Sequence, residues 1–161
     1  MKSTFEDDLL RSTTLGAAAL WRFASSYHQK LERLSAPSFP VMMIVLPMVF
    51  HRRTVEVIAD RTKDGALLKA LAADRTILAG LQGRMEAMSD RTLRALNLAL
   101  AAALVALDKS VGIAVVPLVP KLPYKYADNE ANAILKAADR LGHSTATMGV
   151  ETALSLLSIR F

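Results

Sequence analysis

Ser89-Asp90-Arg91-Thr92-Leu93-Arg94-Ala95-Leu96-Asn97-Leu98-Ala99-Leu100-Ala101-Ala102-Ala103-Leu104-Val105-Ala106-Leu107 runs into Asp108-Lys109-Ser110 and then Val111-Gly112-Ile113-Ala114-Val115-Val116-Pro117-Leu118. The hydrophobic period changes within this stretch. Leu93, Leu96, Leu100, Leu104 and Leu107 recur at steps of three or four, the apolar stripe of an amphipathic helix. The residues after Ser110 are few and β-branched, the pattern of a short strand. The reading is a helix over Asp90–Leu107 that Ser89 or Asp90 can cap, a turn at Asp108–Ser110, and a small β element around Ile113–Val116. The predicted class is therefore mainly α, a multi-helix fold in one domain, 1–161, with a little β structure.

The flanks agree. Asp7 to Leu34 reads as a long helix, with Leu9, Leu10, Leu15, Leu20, Phe23, Tyr27 and Leu31 at helical spacing and an interruption possible at Ser12–Thr14. Ser35–Pro40 is a break, and Pro40 suits the first turn of the next helix. Val41 to Phe50 is ambiguous between buried strand and buried helix. A helix is chosen, kinked at Pro47 and continuing through His51-Arg52-Arg53-Thr54 to about Ile58. Asp60–Gly65 is a polar turn. Leu67, Leu68 and Leu71 mark a short helix, and Asp74–Met88 another, with Ile77, Leu78, Leu81, Met85 and Met88 on one face. Pro117, Pro120 and Pro123 exclude regular structure. Asp128–Leu141 is a helix that Gly142 is expected to stop with a positive φ. A last helix spans about Val150–Leu157.

Bulk composition narrows the function. There is no cysteine, hence no disulfide, thiolate metal site or cysteine nucleophile. Hydrophobic residues make up 52% of the chain and mean hydropathy is +0.28, an apolar surplus that suits a subunit burying a face against partners. The longest uncharged run, Leu34–Phe50, has seventeen residues and three prolines, short of the roughly 20 needed to span a bilayer. Acids occupy Glu6-Asp7-Asp8 where a signal peptide is apolar. A cytoplasmic, soluble protein without a membrane segment is expected. The net charge of +5 is compatible with nucleic acid, but the basic residues are scattered and the tightest cluster is His51-Arg52-Arg53.

No phosphate loop, GxGxxG, HExxH or GxSxG occurs. His28, His51 and His143 stand in different elements without metal-ligand spacing, and the Asp7-Asp8 pair turns outward. No catalytic residue, metal ligand or cofactor is assigned, and the chain is not expected to be an enzyme. Four features carry a binding reading beside a bland one. Trp21-Arg22 following Gly16–Leu20 has the composition of an interface anchor, or is a helix crossing with Trp21 in the core. His51, Arg52 and Arg53 can hold an acidic group or phosphate, or complement the dipole at a helix C-terminus. The order helix, short turn at Ser89, helix, strand is winged-helix-like. Arg91 and Arg94, joined by Asn97, would then contact nucleic acid. The apolar half Leu98–Leu107 argues instead for a buried helix. Ile159-Arg160-Phe161 would dock on a partner or fold back.

In order along the chain, several pieces together resemble a bacterial family: Leu15–Phe23; Leu46-Pro47 through His51–Thr54; Arg84–Met88 with Thr92–Leu96; Val115–Leu118; and Ala137–Gly142 with Leu156–Phe161. The family is the middle component of three-component ABC-ATPase (ABC-3C) systems. The resemblance implies a non-catalytic adaptor between an ABC-type ATPase and a third, effector-bearing component, acting in bacterial conflict, especially anti-phage defence. It implies nucleic acid only through the complex, and it brings no catalytic residues. The alternative is a free-standing winged-helix regulator that binds nucleic acid itself.

Overall fold

The computed structural model describes residues 2–61 and 65–161, and the side chains from 11 onward. Residues 62–64 of the predicted turn and the Asp7-Asp8 side chains lie outside that description. The described residues form eight α-helices and a small sheet: α1 (Lys2–Lys30), α2 (Phe39–Val49), α3 (Arg52–Ala59), α4 (Ala66–Ala73), a 3-10 turn (Arg75–Leu78), α5 (Leu81–Ala87), α6 (Ser89–Ala101), β1 (Val105–Asp108), β2 (Ala114–Pro117), α7 (Asn129–Met148) and α8 (Val150–Leu156). The mainly α class holds.

Helix α2 lies at the centre, touching α1, α5, α6 and α7. Val41, Met42 and the whole run Ile44–Val49 are buried, so the apolar segment is a core helix and not a strand. Helix α1 packs along α7 on one side and α6 on the other, while α3 and α4 cover α7. Small residues set these crossings. A methyl group on Gly16 would lie 3.0 Å from the Ala95 methyl of α6 and 3.1 Å from Leu46 of α2. Gly16 therefore marks a close approach of three helices, and α1 runs through Ser12–Thr14 as one continuous helix.

Several boundaries differ from expectation. Gly142 does not stop α7. It sits inside the helix, where a Cβ would be 2.4 Å from the Phe23 carbonyl oxygen, and α7 runs on until Gly149, whose φ is 87°. Helix α2 does not continue to Ile58, because it breaks at Phe50-His51 and α3 starts anew. The Asp74–Met88 helix is divided: the Asp74 carboxylate accepts from the Thr76 amide at 2.9 Å to start a 3-10 turn, and Gly80 at φ 72° re-enters helix as α5.

The largest correction is at the deciding stretch. Helix α6 ends at Ala101, and Leu104 and Leu107 belong to the chain beyond it, Leu107 on β1. The Leu104 amide bonds to the Ala99 carbonyl at 2.9 Å and the Ala103 amide to the Leu100 carbonyl at 3.1 Å. Ala103 has a φ of 56°. This is a Schellman cap without glycine. The same bonding pattern closes α1 through Glu32 (φ 55°) and α8 through Ser158 (φ 56°). One predicted strand is thus two, paired antiparallel with Val105 opposite Pro117 and Asp108 opposite Ala114. On its other edge β2 pairs with the α1–α2 connection: the Val115 amide donates to the Pro37 carbonyl at 2.8 Å, and the Phe39 amide to the Ile113 carbonyl at 2.9 Å. Pro117 is tolerated because it falls at a position that needs no amide toward β1.

Candidate partner-binding surface

Trp21 is 1% exposed and part of the core. Its indole N–H donates to the Val119 carbonyl at 3.1 Å, tying α1 to the Pro-rich segment after β2. The anchor reading is corrected here, since no face of Trp21 is open to a partner. Arg22, the next residue, is half-buried, with its guanidinium 5.6 Å from the Trp21 ring centroid.

The corner between α2 and α3 is built by the break after Val49. Because α2 ends there, the Pro47 carbonyl has no amide one turn on. Arg84 of α5 supplies the donor through Nε at 3.2 Å, and gives its terminal nitrogens to Ala79 (2.6 Å) and Ile77 (3.2 Å) carbonyls. Sequence reading missed this residue, since an isolated arginine in a helix carries no signal that it closes three carbonyls.

His51 caps α3 in position only. Its Nδ1 lies 2.8 Å from the Thr54 hydroxyl. Burial, and then the Arg84 charge, lower its pKa below the ordinary value and so disfavour the protonated ring. Arg52 and Arg53 open α3 and do not end a helix, so the predicted complement to a C-terminal dipole is overturned. Arg53 is spent inside the fold: its Nε meets Asp74 at 2.5 Å and Glu56 lies 3.4 Å away. Arg52 is different. Its side chain is 92% exposed and, among the described residues, its only ion pair, with Glu56, is at 4.0 Å.

Arg52 faces a groove of about 680 Å³ shared by α1, α3, α6 and the start of α7. Arg91 faces the same groove and reaches the Ser12 hydroxyl at 3.2 Å. Arg11 also lines the groove, together with the carboxylates Glu56, Asp128 and Glu130 and the apolar side chains of Leu15, Phe50, Val55 and Ile134. The structure thus brings together Arg52, expected at a protein interface, and Arg91, expected on nucleic acid. It does not bring in Arg94 or Asn97, which are exposed farther along α6. Asp128 was legible in the sequence only as the start of a helix; there its carboxylate accepts from the Ala131 amide at 3.0 Å.

The helix pair preceding the hairpin is α5 and α6, joined by Met88 alone. A DNA-reading helix-turn-helix uses a longer turn. Among the described residues, no helix is long and apolar enough to cross a membrane.

None of the curated proteins and none of the solved structures compared matches the chain. The family described as ABC-three component (ABC-3C) system Middle Component 3 matches residues 2–161. With a match of that extent, the chain belongs to the Middle Component 3 family of ABC-three component systems.

Proposed function

We propose that this chain is a single-domain, non-catalytic bridging subunit that joins an ABC-type ATPase to an effector-bearing third component in anti-phage defence in the bacterial cytoplasm. Membership of a middle-component family over residues 2–161 carries this reading. The groove supports it: a lining that combines apolar side chains with both cations and carboxylates is suited to an amphipathic segment of another protein. Arg52 offers a cation to such a segment, its side chain 92% exposed and its ion pair with Glu56 a long one. Nucleic acid would be met through the assembled complex.

The test is co-purification with the proteins encoded beside it, in salt high enough to strip nonspecific DNA. The Arg52→Ala protein should melt within about 1 °C of wild type, because exposed surface substitutions change stability little, and yet capture less of the ATPase or third component. Full assembly by Arg52→Ala and Arg91→Ala alike removes the groove from the interface. Tight, sequence-selective binding of duplex DNA by the chain alone establishes the regulator in its place.

A further inference from the structure

We propose that a second cleft, between Arg22 of α1 and one face of α7, binds a phosphate-type oxyanion. The helical repeat puts Asn132, Lys136 and Arg140 at intervals of four on α7, with Leu135 and Asp139 beside them. Arg22 closes this face into a cleft of about 340 Å³. It lies apart from the groove that holds Arg52.

Three cations converge there and none is neutralised within the fold. Among the described residues Arg22 and Lys136 have neither hydrogen bond nor ion pair, and Arg140 gives only its Nε, to the Arg61 carbonyl. Asp139, the one carboxylate of the cleft, is already engaged. The Asn132 amide group donates to the Tyr126 and Asp128 carbonyls at 2.9 and 3.0 Å. The second observation concerns Arg22 itself. Its Nε is shielded from water and has no acceptor. A guanidinium donor left unmade away from water is costly, and nearly all such groups in folded proteins find a partner. An oxyanion in the cleft would meet the terminal nitrogens of the same guanidinium, which have no acceptor among the described residues, and relieve the repulsion among the three cations.

The chemistry selects the ligand. The fork of an arginine matches two oxygens of a phosphate, and two further cations balance a second negative charge. No aromatic ring lines the cleft, so nothing there would stack on a base. The ligand is free phosphate or a small phosphate monoester.

Isothermal titration of the full chain with inorganic phosphate, and separately with glycerol 3-phosphate, tests this at constant ionic strength against chloride and acetate. Saturable binding of either phosphate is expected, with the ester tighter if the natural ligand is esterified and the free ion tighter if it is not. Arg22→Gln and Lys136→Gln should each weaken it at least tenfold, while Lys109→Gln, an exposed lysine outside both clefts, leaves it unchanged. Lys136 is exposed, so its variant decides the matter if Arg22→Gln fails to fold. Heat no greater than with chloride, or wild-type affinity in Lys136→Gln, overturns the proposal. Acetate binding as tightly as phosphate also overturns it, in favour of a partner's carboxylate.

Discussion

The backbone of Gly142 lies directly on the backbone of Phe23, so close that a Cβ on Gly142 would stand 2.4 Å from the Phe23 carbonyl oxygen. Helices α1 and α7, the two longest, are held together at this point. The nearby Ser26 hydroxyl reinforces the contact by donating to the Asp139 carbonyl at 2.7 Å.

Gly142→Ala should therefore destabilise the chain by about 3 kcal/mol or more, since the clash is with backbone and cannot be relieved by a rotamer change. At this chain length that lowers Tm by roughly 6–12 °C. On α5, a methyl group added at Gly83 would meet nothing within 4 Å, so Gly83→Ala should raise stability by about 0.5–1 kcal/mol. Thermal melts of the pair check both signs. Equal Tm values for the two variants would refute this crossing.

Replacing Arg84 with Met keeps the stem and removes the donors to Pro47, Ala79 and Ile77. The expected loss is about 2–3 kcal/mol, because hydrogen bonds from a charged group count for more and the carbonyls left behind are partly buried. Urea denaturation of Arg84→Met beside Arg52→Ala separates a structural arginine from a surface one.

His51 gives the pH dependence. Its pKa is lowered from 6.5 in the folded chain, so the unfolded state takes up its proton more readily. Stability from this group is full above 6.5 and declines as pH falls below it. His51→Asn should flatten the change in Tm between about pH 8 and about pH 5. Asp74 acts lower, its pKa brought from 3.8 to about 2 chiefly by the Thr76 hydroxyl and Arg53. Its contribution is held above 3.8 and lost as pH falls toward 2. A wild-type slope retained in His51→Asn assigns the upper transition to another group.

Ala103→Gly should stabilise the chain by about 0.5–1 kcal/mol. The left-handed conformation costs a non-glycine residue roughly 1–2 kcal/mol, and the added freedom of glycine in the unfolded chain takes part of that back. A fall in Tm would mean that Ala103 is not left-handed in solution.

The helical class was legible because it rests on apolar spacing, which survives even where a boundary is wrong. The end of α6 was not legible, because Leu104 and Leu107 continue the leucine spacing and Ala103 lacks the glycine that marks such a cap. Gly142 misled for the converse reason: a glycine in a helical pattern is ambiguous between stopping the helix and admitting a neighbour, and only the position of Phe23 decides. At the site, Arg52 could be read from sequence as an exposed cation. Its meeting with Arg91, and that of Arg22 with Lys136 and Arg140, needs the crossing angles of four helices, which residue spacing does not encode.

The pairing of Ser38 with Ala114 bears on the order of folding. Helices α1 and α2 need only local contacts to begin, but β2 is completed on one edge by residues from the first quarter of the chain. Closing so long a loop is entropically expensive and is compensated only once the helical core has formed. The outer edge of β2 should therefore be closed later than the local β1–β2 hairpin. Weakening it at Val115 would speed unfolding while leaving the folding rate nearly unchanged.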